Sequence, residues 1–113
     1  MRSRIRSTAD FKAIYAARRS VRNRELTVYY RPAPAGVARL GLSVGRRLGN
    51  AVVRNRIKRV LREVFRLESA TIPQPLDLVV IPRSSRTATD TRAMTRAFGD
   101  LMSRLARKLE ETS

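Results

Sequence analysis

The sequence predicts an α+β fold: a single-domain α/β sandwich spanning 1–113, with element order α-β-β-α-β-α and room for an extra short strand. Three observations predict it. Apolar residues recur at helical spacing in three separate stretches, and the intervals between them hold alternating or continuous apolar runs of strand length. The length of 113 residues with 42% hydrophobic content suits one ordinary domain, and neither a repeat nor an interdomain linker divides it. The middle helix links two strands that can lie parallel.

Taken in order, residues 1–6 are a short basic arm. Ser7 or Thr8 can cap a first helix, with Asp10 favourably placed in its first turn, and that helix is expected to run to about Arg19. Phe11, Ile14 and Tyr15 share one of its faces. Residues Val21 to Arg24 lead into a strand from Glu25 to Arg31, rich in β-branched and aromatic side chains, and a turn follows from Pro32 to Gly36. In the next strand, Arg39 to Gly45, Leu40, Leu42 and Val44 alternate with Arg39, Gly41 and Ser43, so one face is buried and the other is small and open.

Arg46 to Asn50 carry the chain into the second helix, with Asn50 as its cap. Val53, Ile57, Val60, Leu61 and Val64 form a core-facing stripe, and at about 100° per residue Asn55, Lys58, Arg59, Arg62 and Arg66 fall on the opposite side. Glu68 to Pro75 end the helix. Leu76 to Arg83 are almost continuously apolar, which places that strand in the middle of the sheet with both faces covered. A polar loop with an N-cap near Thr89 or Asp90 then precedes a final helix marked by Met94, Phe98, Leu101, Leu105 and Leu109.

Charge narrows the function. Twenty-five Lys and Arg face nine Asp and Glu, a net +16 spread from Arg2 to Lys108, so the natural partner is a polyanion. Arg outnumbers Lys 22 to 3, which suits bidentate phosphate contacts, although a GC-rich genome would leave the same bias. Arg46, Arg47, Arg54, Arg56, Lys58, Arg59, Arg62 and Arg66 meet a single acid, Glu63, across 21 residues. Eight such cations repel one another unless a partner neutralises them. Engaging about six phosphates gives a log–log salt slope of roughly −4 to −5.

The catalytic inventory is empty by contrast. There is no His for acid–base work and no Cys for a disulfide, a thiolate site or a nucleophile, and the carboxylates are scattered. Gly41, Gly45 and Gly49 fit neither a dinucleotide fingerprint nor a P-loop and read as strand and turn positions. Apolar runs such as Leu78 to Pro82 are too short for a bilayer, and MRSRIRST lacks the apolar segment of a signal peptide, so a cytoplasmic protein with no membrane partner is expected. Phe98 and Phe65 read as core. Phe11, Tyr15 and Tyr29 or Tyr30 read equally as core or as a stacking surface for single-stranded RNA.

The stretch GLSVGRRLGNAVVRNRIKRVLREVFR, Gly41 to Arg66, resembles the signature of the protein subunit of bacterial ribonuclease P, centred on Arg54-Asn55-Arg56. DFKAIY (Asp10 to Tyr15) and DLVVIPR (Asp77 to Arg83) extend the resemblance over nearly the whole chain. It implies a compact sandwich with a left-handed β-α-β crossover around that helix, against the usual handedness. It implies a protein that assists a catalytic RNA in removing the 5′ leader from precursor tRNA, one protein per RNA, with magnesium serving the RNA-catalysed reaction and neither a catalytic residue nor a confident metal ligand in the chain. The RNA subunit would be bound by Arg46, Arg47, Asn50, Arg54, Asn55, Arg56, Lys58, Arg59, Arg62 and Arg66. A leader-binding cleft would be lined by Phe11, Tyr15, Tyr29, Arg39 and Ser43, with Gly41 on the same open strand face. Size and charge alone also suit a ribosomal or RNA-packaging protein; a protein-only nuclease is disfavoured, and binding to duplex DNA stays open electrostatically.

Overall fold

The computed structural model describes residues 4–111; residues 1–3 of the basic arm lie outside them. Helix α1 spans Thr8–Ala16, and Ser7 caps it by accepting a hydrogen bond on Oγ from the Asp10 amide at 3.3 Å. The expected extension to Arg19 does not form. Arg18 adopts φ 55°, and its amide donates to the Tyr15 carbonyl, closing the helix in a left-handed residue that costs a non-glycine side chain some strain.

The sheet follows. Strand β1 (Ser20–Arg22) is the extra short strand; β2 (Leu26–Pro32), β3 (Arg39–Leu42) and β4 (Leu76–Pro82) complete the order β1-β2-β4-β3. β1 and β2 are antiparallel, β2 and β4 are antiparallel, and β3 and β4 are parallel. β4 therefore lies inside the sheet, as its apolar run requires, and only Ile81 along it is more than marginally exposed. The arm is not free: the Ile5 amide donates to the Leu40 carbonyl at 2.9 Å, Arg4 bridges to Leu40 in parallel, and Ile5 is buried. β3 ends at Leu42 rather than Gly45, although the Ser43 amide still donates to Val80 at 3.1 Å.

Helix α2 (Ala51–Leu67) joins the parallel pair β3 and β4, the connection that the expected crossover needs. Asn50 caps it, accepting on Oδ1 from the Val53 amide at 3.0 Å. After β4 the supposed loop contains a one-turn helix, α3 (Ser85–Ala88), and Asp90 Oδ1 caps the long α4 (Thr91–Glu111) through the Ala93 amide.

Three layers result. Leu26, Val28, Tyr30, Leu40, Leu78 and Val80 project from one sheet face onto Ile57, Leu61 and Val64 of α2 and Met94, Phe98, Leu101 and Leu105 of α4. This is the main core. Residues one step out of register, Tyr29, Val79 and Ile81, project from the other face and pack with Ile5, Phe11, Ile14 and Tyr15. That second cluster is small, and α1 rests on it.

One charge interrupts the buried strand. Asp77 is fully buried, with Arg31 and Arg39 directly opposite it on β2 and β3. Arg31 Nε donates to its Oδ2 at 2.9 Å; Arg39 donates from Nε to Oδ1 at 2.8 Å and from Nη2 to Oδ2 at 2.7 Å. Burial acts to raise the Asp77 carboxyl, but the hydrogen bonds and charges of Arg39 and then Arg31 outweigh it and hold it below the ordinary 3.8. With the folded value depressed, the stabilisation from this group is complete above about 3.8 and is lost as pH falls through the folded value. Asp77→Asn is therefore expected to destabilise the fold by about 3 kcal/mol at neutral pH in urea denaturation. The same variant should flatten the acid limb of the stability curve.

Candidate nucleic-acid interface

The outward face of α2 collects the cations that the sequence placed there. Asn55, Arg56, Arg59 and Arg62 are exposed, Arg54 and Lys58 are half-buried, and Arg46 and Arg47 stand exposed on a 3-10 turn (Arg46–Leu48) just before the helix. Two of these arginines use one nitrogen each to fix the junction: Arg54 Nε donates to the Gly49 carbonyl at 3.1 Å, and Arg47 Nη1 to the Arg83 carbonyl at 3.3 Å. Neither contact neutralises charge. Among the described residues, no carboxylate comes within ion-pair distance of Arg46, Arg47, Arg54, Arg56, Lys58, Arg59 or Arg62.

Arg66 departs from the expectation. One turn apart on the helix, Glu63 accepts from its Nη2 at 2.6 Å and Nε at 3.0 Å, so this guanidinium is exposed but already matched to an anion. The free charge on this surface is seven cations rather than eight. Asn50 is also committed in part, since its Oδ1 is the helix cap.

The arm adds two cations that the sequence reading did not attach to this surface. Arg4 and Arg6 line a groove of about 260 Å³ together with Lys58 and Arg62, over apolar walls from Ile5, Leu40, Leu42 and Phe11. Burial first, and then the charges of Arg4, Arg59 and Arg6, push the Arg62 guanidinium down from its ordinary value. Like charges converge here, and among the described residues no carboxylate pairs with Arg4, Arg6, Lys58 or Arg62. An incoming phosphate would relieve each of them.

Beside the groove lies the aromatic row. Phe11 and Tyr15 sit with ring centroids 6.4 Å apart, and Tyr15 meets Tyr29 edge-on at 5.0 Å and 87°. All three are half-buried, so ring surface remains on offer, whereas Tyr30 points the other way into the main core. The strand alternation decides which tyrosine is which. Ser43 is half-buried at the end of β3.

At Arg39 the guanidinium is held by the buried Asp77 and lies 3.7 Å from Asp10. One expectation for this cleft is corrected. Gly41 is not open: it is buried, and a Cβ there would fall 2.9 Å from Cζ of Phe11, so the absent side chain is what lets the ring lie on the strand. The arrangement of Arg31, Arg39, Asp77 and Asp10 escaped the sequence reading, although a lone acid in a run buried on both sides was the available signal.

Among the described residues, no three carboxylates gather as a metal site would need, and no helix is long and apolar enough to cross a membrane. The chemistry on offer is phosphate neutralisation beside a surface for stacking bases.

Comparison with known proteins finds relatives over nearly the whole chain. The family model described as Ribonuclease P matches residues 1–106. The ribonuclease P protein component of Coxiella burnetii is 35% identical over 111 residues, covering 97% of this chain and 91% of that protein. That of Streptococcus mutans is 42% identical over 110 residues, covering 97% and 91%. Among solved structures, the RNase P protein of Staphylococcus aureus superposes with a TM-score of 0.78 at 36% identity, covering 93% of this chain and 96% of that one. The protein from Thermotoga maritima gives 0.80 at 33% identity, covering 91% and 97%.

The junction that aims Arg46 and Arg47 depends on Gly49, at φ 146°, where a Cβ would lie 2.8 Å from Cβ and Cγ1 of Val53. Gly49→Ala is expected to cost about 1–3 kcal/mol in thermal denaturation. Gly45→Ala, with open space around it, should stay within about 0.5 kcal/mol of the parent.

Proposed function

This chain belongs to the ribonuclease P protein family, and from that premise we propose how its surfaces divide the work. It is the protein component that binds the ribonuclease P RNA and assists the endonucleolytic removal of 5′ leaders from precursor tRNA. Scission belongs to the RNA subunit. We assign the seven unpaired cations on α2 and its preceding turn, together with the neutral Asn55, to the RNA subunit, in a complex of one protein per RNA. The single observation that supports this most is that, among the described residues, none of these seven cations has a carboxylate within ion-pair distance.

The half-buried row of Phe11, Tyr15 and Tyr29, with Ser43 beside it, we assign to the leader. Unpaired bases can stack on such rings whatever their sequence. The groove under Arg4, Arg6, Lys58 and Arg62 opens at Phe11, so phosphates of one strand can stay neutralised between the two surfaces. Magnesium belongs to the RNA-catalysed step. Among the described residues no cluster of three potential ligands gathers for it, and both oxygens of Asp77 and those of Asp10 are taken by arginines. With RNA as partner and substrate, the cytoplasm is the compartment we assign.

Reconstitution tests the assignment. Added to a ribonuclease P RNA at low magnesium, the chain should stimulate 5′ processing, and alone it should cut nothing; no stimulation would sink the reading. Replacing both Arg54 and Arg56 by Ala is expected to weaken association with the RNA subunit by about 2 kcal/mol, roughly thirtyfold, in filter binding. Phe11→Ala should cost about tenfold in affinity for precursor tRNA by loss of one stacking contact while sparing mature tRNA. Equal losses for both tRNAs would contradict the leader assignment.

A further inference from the structure

Helix α1 is poorly provided with apolar anchorage. It has nine residues, of which Ile14 alone is fully buried, and a helix that short has no stability of its own. Yet it carries Phe11 and Tyr15, two of the three rings of the aromatic row. Something must hold it at a fixed height above the sheet.

The ion network supplies a tether. On the sheet, Arg31, Asp77 and Arg39 stand in one transverse row across β2, β4 and β3, all facing α1. Asp77 takes the Nε–Nη2 edge of Arg39, which fixes that plane, and one hydrogen bond from Nε of Arg31. A remaining nitrogen of each reaches up to α1: Arg31 Nη2 donates to Asp10 Oδ1 at 3.0 Å, and Arg39 Nη1 lies 3.7 Å from Asp10 Oδ2. Asp10 adjoins Phe11 in the chain, and Tyr15 follows little more than one turn later. The Asp10 side chain is 33% exposed against 18% for Arg31 and 20% for Arg39, so the contact is shielded from solvent on the sheet side.

We propose that Asp10 is a positioning residue for leader recognition: by clamping α1 to the Arg31–Asp77–Arg39 row, it sets where the rings of Phe11 and Tyr15 face the bound strand. It touches neither RNA. The inference rests on the leader assignment above, and it adds that the cleft wall is held electrostatically from the central strand rather than by packing alone.

The test uses the full chain reconstituted with its RNA subunit. Asp10→Asn should raise KM about fivefold for precursor tRNA carrying a leader of several nucleotides, with kcat and affinity for the RNA subunit unchanged. A substrate with a one-nucleotide leader should show no change, and Asp10→Glu should recover most of the loss. Arg31→Gln, which leaves the charge of α1 and its favourable place at the helix N-terminus intact, should reproduce the Asp10→Asn effect.

Amide hydrogen exchange on the free protein gives an independent readout. In both variants the α1 amides should exchange about tenfold faster while those of α2 and α4 hold their rates. Unchanged exchange overturns the proposal, and so does faster exchange with an unchanged KM. Phe11→Ala serves as the control: if it too leaves leader preference intact, the leader assignment has failed, and the tether is judged by exchange rates alone.

Discussion

Helix α2 must satisfy two incompatible demands on one cylinder of backbone. Ile57, Leu61 and Val64 bury completely against the sheet and α4, which fixes the rotation of the helix about its axis. That rotation leaves Arg56, Arg59 and Arg62 nowhere to go but outward, alongside Arg46 and Arg47 on the preceding turn. The apolar face thus stabilises a surface whose charges repel one another. Pairing them internally would relieve the repulsion, and among the described residues this happens on that face once, between Glu63 and Arg66. Elsewhere the conflict is left for an external polyanion to resolve, which makes the folded protein and the bound protein parts of one electrostatic design.

Several of the acids are spent on architecture. Asp77 holds two arginines across three strands, Asp10 joins them from the helix above, Asp90 caps α4, and Asp100 pairs with Arg104 on α4. None of these sites lies on the cationic face of α2. Segregation of this kind lets a protein of net +16 keep internal ion pairs while offering one continuous surface to phosphate. The aromatic row adjoins that surface because the arm crosses the edge of β3, with Ile5 pinned to Leu40 and Phe11 seated on Gly41. One RNA strand can be met by stacking at one end and by charge at the other.

Much of this was legible in the chain itself. The stripe from Val53 to Val64, the Asn50 cap and the buried run at Leu76 to Pro82 are local patterns, and local patterns are what a sequence displays. What escaped it is non-local. β1 has one apolar residue in three and exists because Val21 and its neighbours find β2, not because they favour a strand. α1 stops at Ala16 because Arg18 turns left-handed, a conformation that nothing in AARRS announces. Arg39 alternated correctly onto the α1 side of the sheet, yet its fate was decided by an acid 38 residues away. Gly41 read as open because the ring that covers it comes from α1 and not from a strand neighbour.

In the proposed division of work, the unpaired cations of α2 are neutralised by phosphates of the RNA subunit. The association constant between protein and RNA, measured across a range of monovalent salt, reads this out. With about six phosphates engaged, log K should fall against log salt with a slope of roughly −4 to −5. A variant lacking the charges of Arg59 and Arg62 should bind more weakly with a slope shallower by about 1.5. A parent slope near zero, or one that this double substitution leaves untouched, would contradict the account.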